Sequence, residues 1–424
     1  MPESEDRAAG GGPAGAERET PPETPGTPRR PRTPKDRLRR ALGGGRGFVL
    51  AVAVVAVVAV IAGTVVGRDG PGDEPGGEAA TATREGSAPT EGGDQHGGAA
   101  PADGQADQPE VPAQVDMESV PVRAERRVRA EPEVRAGVKV FTLTAEPVQW
   151  EFIPGKSVTA WGYNGQVPGP EVWVDEGDQV RIELTNRLPV PTTIHWHGVA
   201  VPNEMDGVPG VTQDPIEPGE SFTYEFRAEP SGTFWYHSHF DSARQLDMGL
   251  AGAFVVKGRD EPAYDRDFVQ LVDEWIRLQD GRNGWEGVDH AGHNPGEYNW
   301  FTINGKSFPA TDNMVVREGD RVRVRVVNAG FQAHPMHLHG KRFTVVAKDG
   351  APLPAPYQAD TVLVGAGERY DFEFVADDPG SWMFHCHILH HVGNDAVEPG
   401  GLMNFVTYEG YQNAYQREEG KGTT

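Results

Sequence analysis

The chain has one cysteine, Cys386, in 424 residues, so no intrachain disulfide can form. It is short of cations: 39 lysine and arginine residues face 63 aspartate and glutamate residues, a net charge of −24. That balance argues against bulk attraction to nucleic acid. No long stretch carries the apolar period of a helix, and the 8 methionines form no methionine-rich segment. Phe, Tyr and Trp are missing altogether from residues 69–116.

Much of the N-terminal third lacks the means to fold. The first 116 positions hold 21 of the 54 glycines and 14 of the 36 prolines, a denser share than the remainder, which leaves about 300 residues for folding, enough for two domains with cores. Residues 1–47 are Pro-, Gly- and charge-rich and read as a disordered cytoplasmic segment, with eight basic residues from Arg29 to Arg46. Phe48 to Val66 then runs 19 residues without a charge, roughly 28 Å as a helix and the thickness of a bilayer core. Basic residues before it and Asp69, Asp73, Glu74 and Glu78 after it place the remainder outside the cytoplasm. The expectation is a membrane anchor at 48–66. The other reading is a cleaved export signal, for which Ala80-Thr81-Ala82 offers a cleavage site. Residues 67–132 read as an acidic Gly/Pro-rich linker that needs no role for His96.

The rest is a duplication. Val174-Asp-Glu-Gly-Asp-Gln-Val-Arg-Ile-Glu-Leu-Thr-Asn186 matches Val316-Arg-Glu-Gly-Asp-Arg-Val-Arg-Val-Arg-Val-Val-Asn328, 142 residues on. The same offset lays His195-Trp-His-Gly198 on His337-Leu-His-Gly340. Gly232-Thr-Phe-Trp-Tyr-His-Ser-His239 matches Gly380-Ser-Trp-Met-Phe-His-Cys-His387 at an offset of 148. Within each copy apolar residues alternate with polar ones: Val180, Ile182 and Leu184 against Arg181 and Glu183, then Val322, Val324 and Val326 against Arg321, Arg323 and Arg325. The fold class is therefore all-β, with two Greek-key sandwiches at 133–258 and 264–412 and a polar tail at 413–424.

Histidine carries the chemistry. Four His-x-His pairs occur (His195/His197, His237/His239, His337/His339, His385/His387), where fewer than one would arise by chance from 14 histidines. On a strand, residues i and i+2 share a face, so each pair offers two imidazoles to one site. Histidines without a carboxylate suit copper, and would also suit zinc. Cys386 separates the two metals. It lies between His385 and His387 and so points to the opposite face, toward His334 and His391, a His₂Cys set of blue-copper type. Met403 is the candidate weak axial ligand; a one-residue slip would put Leu402 there instead.

The patterns H-W-H-G, H-S-H, H-P-x-H-L-H-G and H-C-H-x₃-H resemble those of the multicopper oxidases, across residues from about 137 to 408. The resemblance implies two cupredoxin-like domains and four copper ions. His334, Cys386 and His391 would hold a type 1 copper, and His195 and His337 a type 2 copper. His197, His237, His239, His339, His385 and His387 would hold a type 3 pair. Asp206 matches an acid that relays protons in similar bacterial enzymes; otherwise it is a turn residue before Gly207. The implied partners are O₂ and a small electron donor, a phenol or a reduced metal ion.

With only two such domains, the chain resembles the two-domain, small-laccase-like oxidases. That implies a homotrimer whose trinuclear sites lie between subunits. In the first copy Ser238, Thr192 and Ala243 replace Cys386, His334 and His391, so that domain should lack a type 1 copper. One departure is the loop after His391. Ala396 stands where the family usually carries its axial residue, and the loop is longer than usual. The alternatives are a metallo-oxidase acting on Cu(I), Fe(II) or Mn(II), a copper nitrite reductase, and a non-catalytic copper electron carrier. The nitrite reductase family carries its type 1 cysteine in the first domain, which disfavours that reading. Trp196 and Trp235 read as packing residues, His390 as peripheral, and His290 and His293 as solvated loop residues.

Overall fold

The computed structural model describes residues 117–124, 128–285, 298–412 and 415. The expected cytoplasmic segment, the apolar segment 48–66, most of the linker, His290, His293 and nearly all of the tail lie outside the described residues. Among the described residues no helix is long and apolar enough to cross a membrane. The described chain is almost wholly β, with one short α-helix at Ser242–Asp247.

Two sandwiches follow one another. In the first, a six-stranded sheet is built on Val138–Ile153 and Gln179–Asn186. Facing it is a four-stranded sheet in the order Val172–Asp175, Ala251–Lys257, Gly232–His237, His195–His197. In the second, a six-stranded sheet is built on Arg266–Trp275, Arg321–Asn328 and Arg369–Val375. Its five-stranded partner runs Met314–Val316, Met403–Tyr408, Ser381–Cys386, His334–Leu338, Thr361–Val364. The first four strands of that sheet repeat the order of the four-stranded one, and each sheet begins with a parallel pair. The duplication read from sequence is thus a duplication of topology.

The alternating pattern explains the cores. Val180, Ile182 and Leu184 pack inward with Trp196, Tyr224 and Phe254. Val322, Val324 and Val326 pack with Phe372, Phe384 and Cys386. Each such side chain, fully buried, contributes about 1.5–3 kcal/mol.

The opposite face of the second copy is not solvated as its arginines suggest. Strand Arg321–Asn328 is buried on both faces after its first residue. Trp235, Ala253 and Val255 of the first sandwich pack there against Val269, Leu271 and Val327 of the second. Arg325 is fully buried in this layer. Its guanidinium reaches Asp267 at 2.8 Å, Glu261 at 2.8 Å and Thr233 Oγ1 at 2.9 Å, and Thr233 in turn donates to Asp371 at 2.7 Å. Arg323 pairs with Asp371 and Glu261. A buried charge must be paired, and this network pairs both arginines and reaches Thr233 of the first sandwich.

The first sandwich also sends an arm across. Trp150 Nε1 donates to Gly305 O at 2.6 Å, and Phe152 sits edge-on to Trp300 with ring centroids 4.7 Å apart. The sheet starts earlier than the 67–132 linker allows: Val122–Arg123 pairs in parallel with Gln149 and Trp150. This pairing uses backbone alone, with Val122 exposed, so no hydrophobic alternation announces it.

Candidate functional site

Strand register places the histidines. His195 stands directly opposite His237, and His337 directly opposite His385. Opposed residues of an antiparallel pair project to the same face, so each ladder presents converging imidazoles. In the first set His195 lies within ring contact of His197, His237 and His239 at 5.7, 5.4 and 5.5 Å. In the second, His337 lies 4.8, 5.6 and 5.6 Å from His339, His385 and His387. Ligand atoms of His195, His197 and His237 lie within 4.8 Å of one another, as do those of His337, His339 and His385.

The second nitrogen of several rings is already engaged, which leaves a defined atom free. His195 Nδ1 contacts Asp206 O at 2.8 Å, and its counterpart His337 Nδ1 contacts Asp360 O at 2.7 Å. His237 Nδ1 contacts Ser238 O at 2.9 Å, and His385 Nδ1 contacts Cys386 O at 2.8 Å. Donation from Nδ1 to a carbonyl leaves Nε2 bare for a metal. The bare nitrogens converge: His339 Nε2 is 3.0 Å from His385 Nε2, and His197 Nδ1 is 3.4 Å from His237 Nε2. Burial holds His237 at about 3 and His197 at about 4, with Arg369 adding to the latter. Both rings are therefore neutral at pH 7, the state that coordinates a metal.

A third set is separate and holds the one thiol. His334, Cys386 and His391 are buried together, with Cys386 Sγ 3.8 Å from His334 Nδ1, 3.6 Å from His391 Nδ1, and the two Nδ1 atoms 3.1 Å apart. Burial pushes the Cys386 thiol up to about 12 and the His391 imidazole down to about 3. A thiolate in this place needs a bound cation to offset the burial. Two imidazoles and one thiolate in a trigonal cluster fit copper.

Met403 is not part of this cluster. It pairs with His385 across the ladder and packs with Phe308 and Phe405, on the face away from Cys386. Leu402 is the residue that shares the buried cluster with Cys386, and Cys386 N donates to Leu402 O at 3.0 Å. The axial assignment to Met403 is corrected by this one-residue register. Ala396 lies exposed in the loop beyond His391.

In the first copy a hydrogen-bonded plug fills the equivalent place. Gln245 Oε1 accepts from Thr192 Oγ1 at 2.7 Å and from Ser238 Oγ at 2.5 Å. The third member is Gln245, from the short helix, rather than the aligned Ala243. Trp196 is a core residue. Trp235 is buried too and stacks on His237 and His197 at 4.3 and 4.9 Å. His390 is exposed, its ring 4.3 Å from that of His391.

Asp206 lies beside the first histidine set, its Oδ1 3.3 Å from His195 Nδ1. Gly207 after it has φ +83°, and a Cβ there would overlap Ile194 O, so the turn itself needs glycine. Two residues escaped the sequence reading. Asp360 is the second-copy partner of His337. Glu274, fully buried, accepts from His334 Nε2 at 3.0 Å. The spacing signal misses Asp360, which is 23 residues after its histidine where Asp206 is 11 after His195.

Comparison with known proteins agrees with the donor chemistry. Residues 144–261 and 286–398 each match the multicopper oxidase family. Multicopper oxidase MmcO of Mycobacterium tuberculosis is 34% identical over 258 residues, 54% of this chain and 50% of that protein. Laccase-2 of Botryotinia fuckeliana is 36% identical over 252 residues, 52% of this chain and 42% of that protein. The blue copper oxidase from Nitrosomonas europaea superposes with a TM-score of 0.60 at 34% identity, covering 67% of this chain and 95% of that one. The chain belongs to the multicopper oxidase family. It spans about half the length, or less, of these two curated relatives.

Proposed function

We propose that the protein is a laccase-like oxidase that takes single electrons from a small donor and passes them to O₂, which is reduced to water. The observation that carries this reading is the placement of Cys386 at the end of a strand, between His385 within it and His387 just past it, with its thiol in one donor set and the flanking imidazoles beside another. Bound copper supplies one-electron redox chemistry at the mononuclear site and O₂ binding at the histidine-rich site.

In this reading His334, Cys386 and His391 hold type 1 copper, and His195 and His337 hold type 2. His197, His237, His239, His339, His385 and His387 hold the type 3 pair. The chain's own part is geometric. Cys386 joins the two sites through a short run of covalent bonds. Carbonyl oxygens of Asp206, Ser238, Asp360 and Cys386 fix which nitrogen of His195, His237, His337 and His385 is free. The Asp206 carboxylate, beside His195, is placed to hand protons to the reducing site.

Each sandwich carries four of the eight imidazoles, a half-site that lacks the other half's ligands. This supports a head-to-tail homotrimer in which domain 1 of one subunit meets domain 2 of the next. The charge pattern flanking residues 48–66 supports an extracytoplasmic enzyme held to the membrane or exported past it. The donor is a phenol or similar aromatic; a metal ion such as Cu(I), Fe(II) or Mn(II) is the second reading.

The deciding experiment measures copper per chain and oxygen uptake on the copper-loaded protein, with a dimethoxyphenol, Fe(II), Mn(II) and Cu(I) in parallel. Four copper ions and uptake with the phenol are expected. One copper and no uptake would make the protein an electron carrier, and uptake confined to a metal ion would make it a metallo-oxidase.

A further inference from the structure

His334 reaches out of the mononuclear cluster with its second nitrogen. Nδ1 faces Cys386 and His391, while Nε2 meets Glu274 Oε2 at 3.0 Å. The other carboxylate oxygen, Oε1, accepts from the backbone of Phe331 at 2.6 Å and of Gln332 at 2.7 Å. Glu274 and His334 both have 0% exposure. Gly330 completes the fit, since a Cβ there would overlap Glu274 Oε2. One carboxylate therefore ties the ring to the loop that leads into it, and Phe331 of that loop reaches the surface.

We propose that Glu274 is a positioning residue of the mononuclear site: it fixes the proton of His334 on Nε2, leaves Nδ1 as the copper ligand, and favours the cupric state. The first part follows from donor and acceptor roles. A carboxylate only accepts, so the nitrogen facing it must carry the proton. The second follows from charge. A buried anion hydrogen-bonded to a ligating imidazole strengthens that ligand and stabilises the more positive metal. Among the described residues no carboxylate bonds His391 in this way; it stacks on Phe301 with centroids 4.1 Å apart. The two imidazoles are thus unequal, and the difference is Glu274.

This rests on the reading of His334, Cys386 and His391 as a copper site, and the test separates the two claims. In the metal-free full chain labelled with ¹⁵N-histidine, nitrogen shifts at pH 9 should show His334 protonated on Nε2 and bare on Nδ1. A proton on Nδ1 overturns the proposal, whatever binds copper. In the copper-loaded full chain, Glu274→Gln should raise the Cu(I)/Cu(II) ratio at a fixed redox poise about tenfold, or about 59 mV for one electron. Glu274→Asp, which keeps the charge, should stay within threefold of the parent. A Glu274→Gln ratio within twofold of the parent overturns the tuning role. If that variant does not fold, the tautomer of the parent chain decides. Absence of a blue band from the parent would refute the copper reading and leave the tautomer result standing.

Discussion

His385 stands opposite Met403 in the antiparallel ladder, so the Met403 side chain lies on the histidine face of the sheet while Cys386 points to the other. The sulfur of Met403 is consequently spent on packing against Phe308 and Phe405. Met403→Leu should leave the blue absorption and the type 1 potential unchanged, and cost less than about 1.5 kcal/mol as a volume-conserving swap. Leu402→Met would place a thioether beside Cys386 and lower the potential. Absorption near the thiolate band and redox titration of both variants check this; loss of the band in Met403→Leu would restore Met403 as ligand.

Cys386 supplies the only thiol in the chain, at 0% exposure. Cys386→Ser should abolish the intense blue band and stop turnover, while the eight-histidine site still binds copper. Visible absorption with copper analysis is the measurement. A blue band that persists would mean that the colour has another source.

The ligand constellation and the duplication were legible because His-x-His spacing, one cysteine and period-2 alternation are local signals. What failed was information held in pairing between distant segments. Met403 and Leu402 differ by one position, and only the ladder with His385 and Cys386 chooses between them. Arg323 and Arg325 look like a solvent face until the first sandwich covers them. Asp360 matches Asp206 in space, but the insertion between His337 and Asp360 hides it from a fixed offset. Glu274 lies 60 residues from His334, on a strand where its acid neighbour Asp273 gives no hint which of them faces the site.

The buried arginine network predicts a stability contrast. Arg325→Ala leaves the Asp267 carboxylate without its buried partner and Glu261 with Arg323 alone, and should cost about 3–5 kcal/mol. Arg181 pairs with Glu225 on the exposed face of the first sandwich, and Arg181→Ala should cost no more than about 1 kcal/mol. Urea unfolding of the two variants gives the comparison; equal costs would mean that the interdomain layer is not a buried ionic contact.

Protons compete with metal at these imidazoles. His237 and His391 are held at about 3 and His197 at about 4, below the 6.5 of a free histidine. For a depressed group the unfolded chain binds the proton first, so its stabilisation is complete above pH 6.5 and is lost as pH falls toward 3–4. The metal-free protein should therefore lose stability steadily between pH 7 and pH 5, before ordinary carboxylates titrate. A urea midpoint that stays flat over that interval would contradict the buried neutral state.

Asp206 and His195 form the contact through which proton supply can be tested. Asp206→Asn keeps the turn before Gly207 and the backbone carbonyl that holds His195 Nδ1, and removes only the ionisable carboxyl. Reoxidation of the reduced enzyme by O₂ should slow, by about 10²–10⁴-fold for a general acid–base role, with the blue band intact. Stopped-flow reoxidation measures it. A rate unchanged from the parent would assign Asp206 to the turn alone.

Subunit mixing tests the shared site most directly. A chain with His195→Ala and His237→Ala is defective only in its first half-site, and one with His339→Ala and His385→Ala only in its second. Each alone should be inactive. If the halves meet between subunits, random trimers formed from an equal mixture contain intact interfaces in about a quarter of positions, since each needs a good domain 1 next to a good domain 2. Co-refolded mixtures should then recover activity in that proportion. Recovery of nothing would place both halves of each working site within one chain and overturn the shared-site trimer proposed for it.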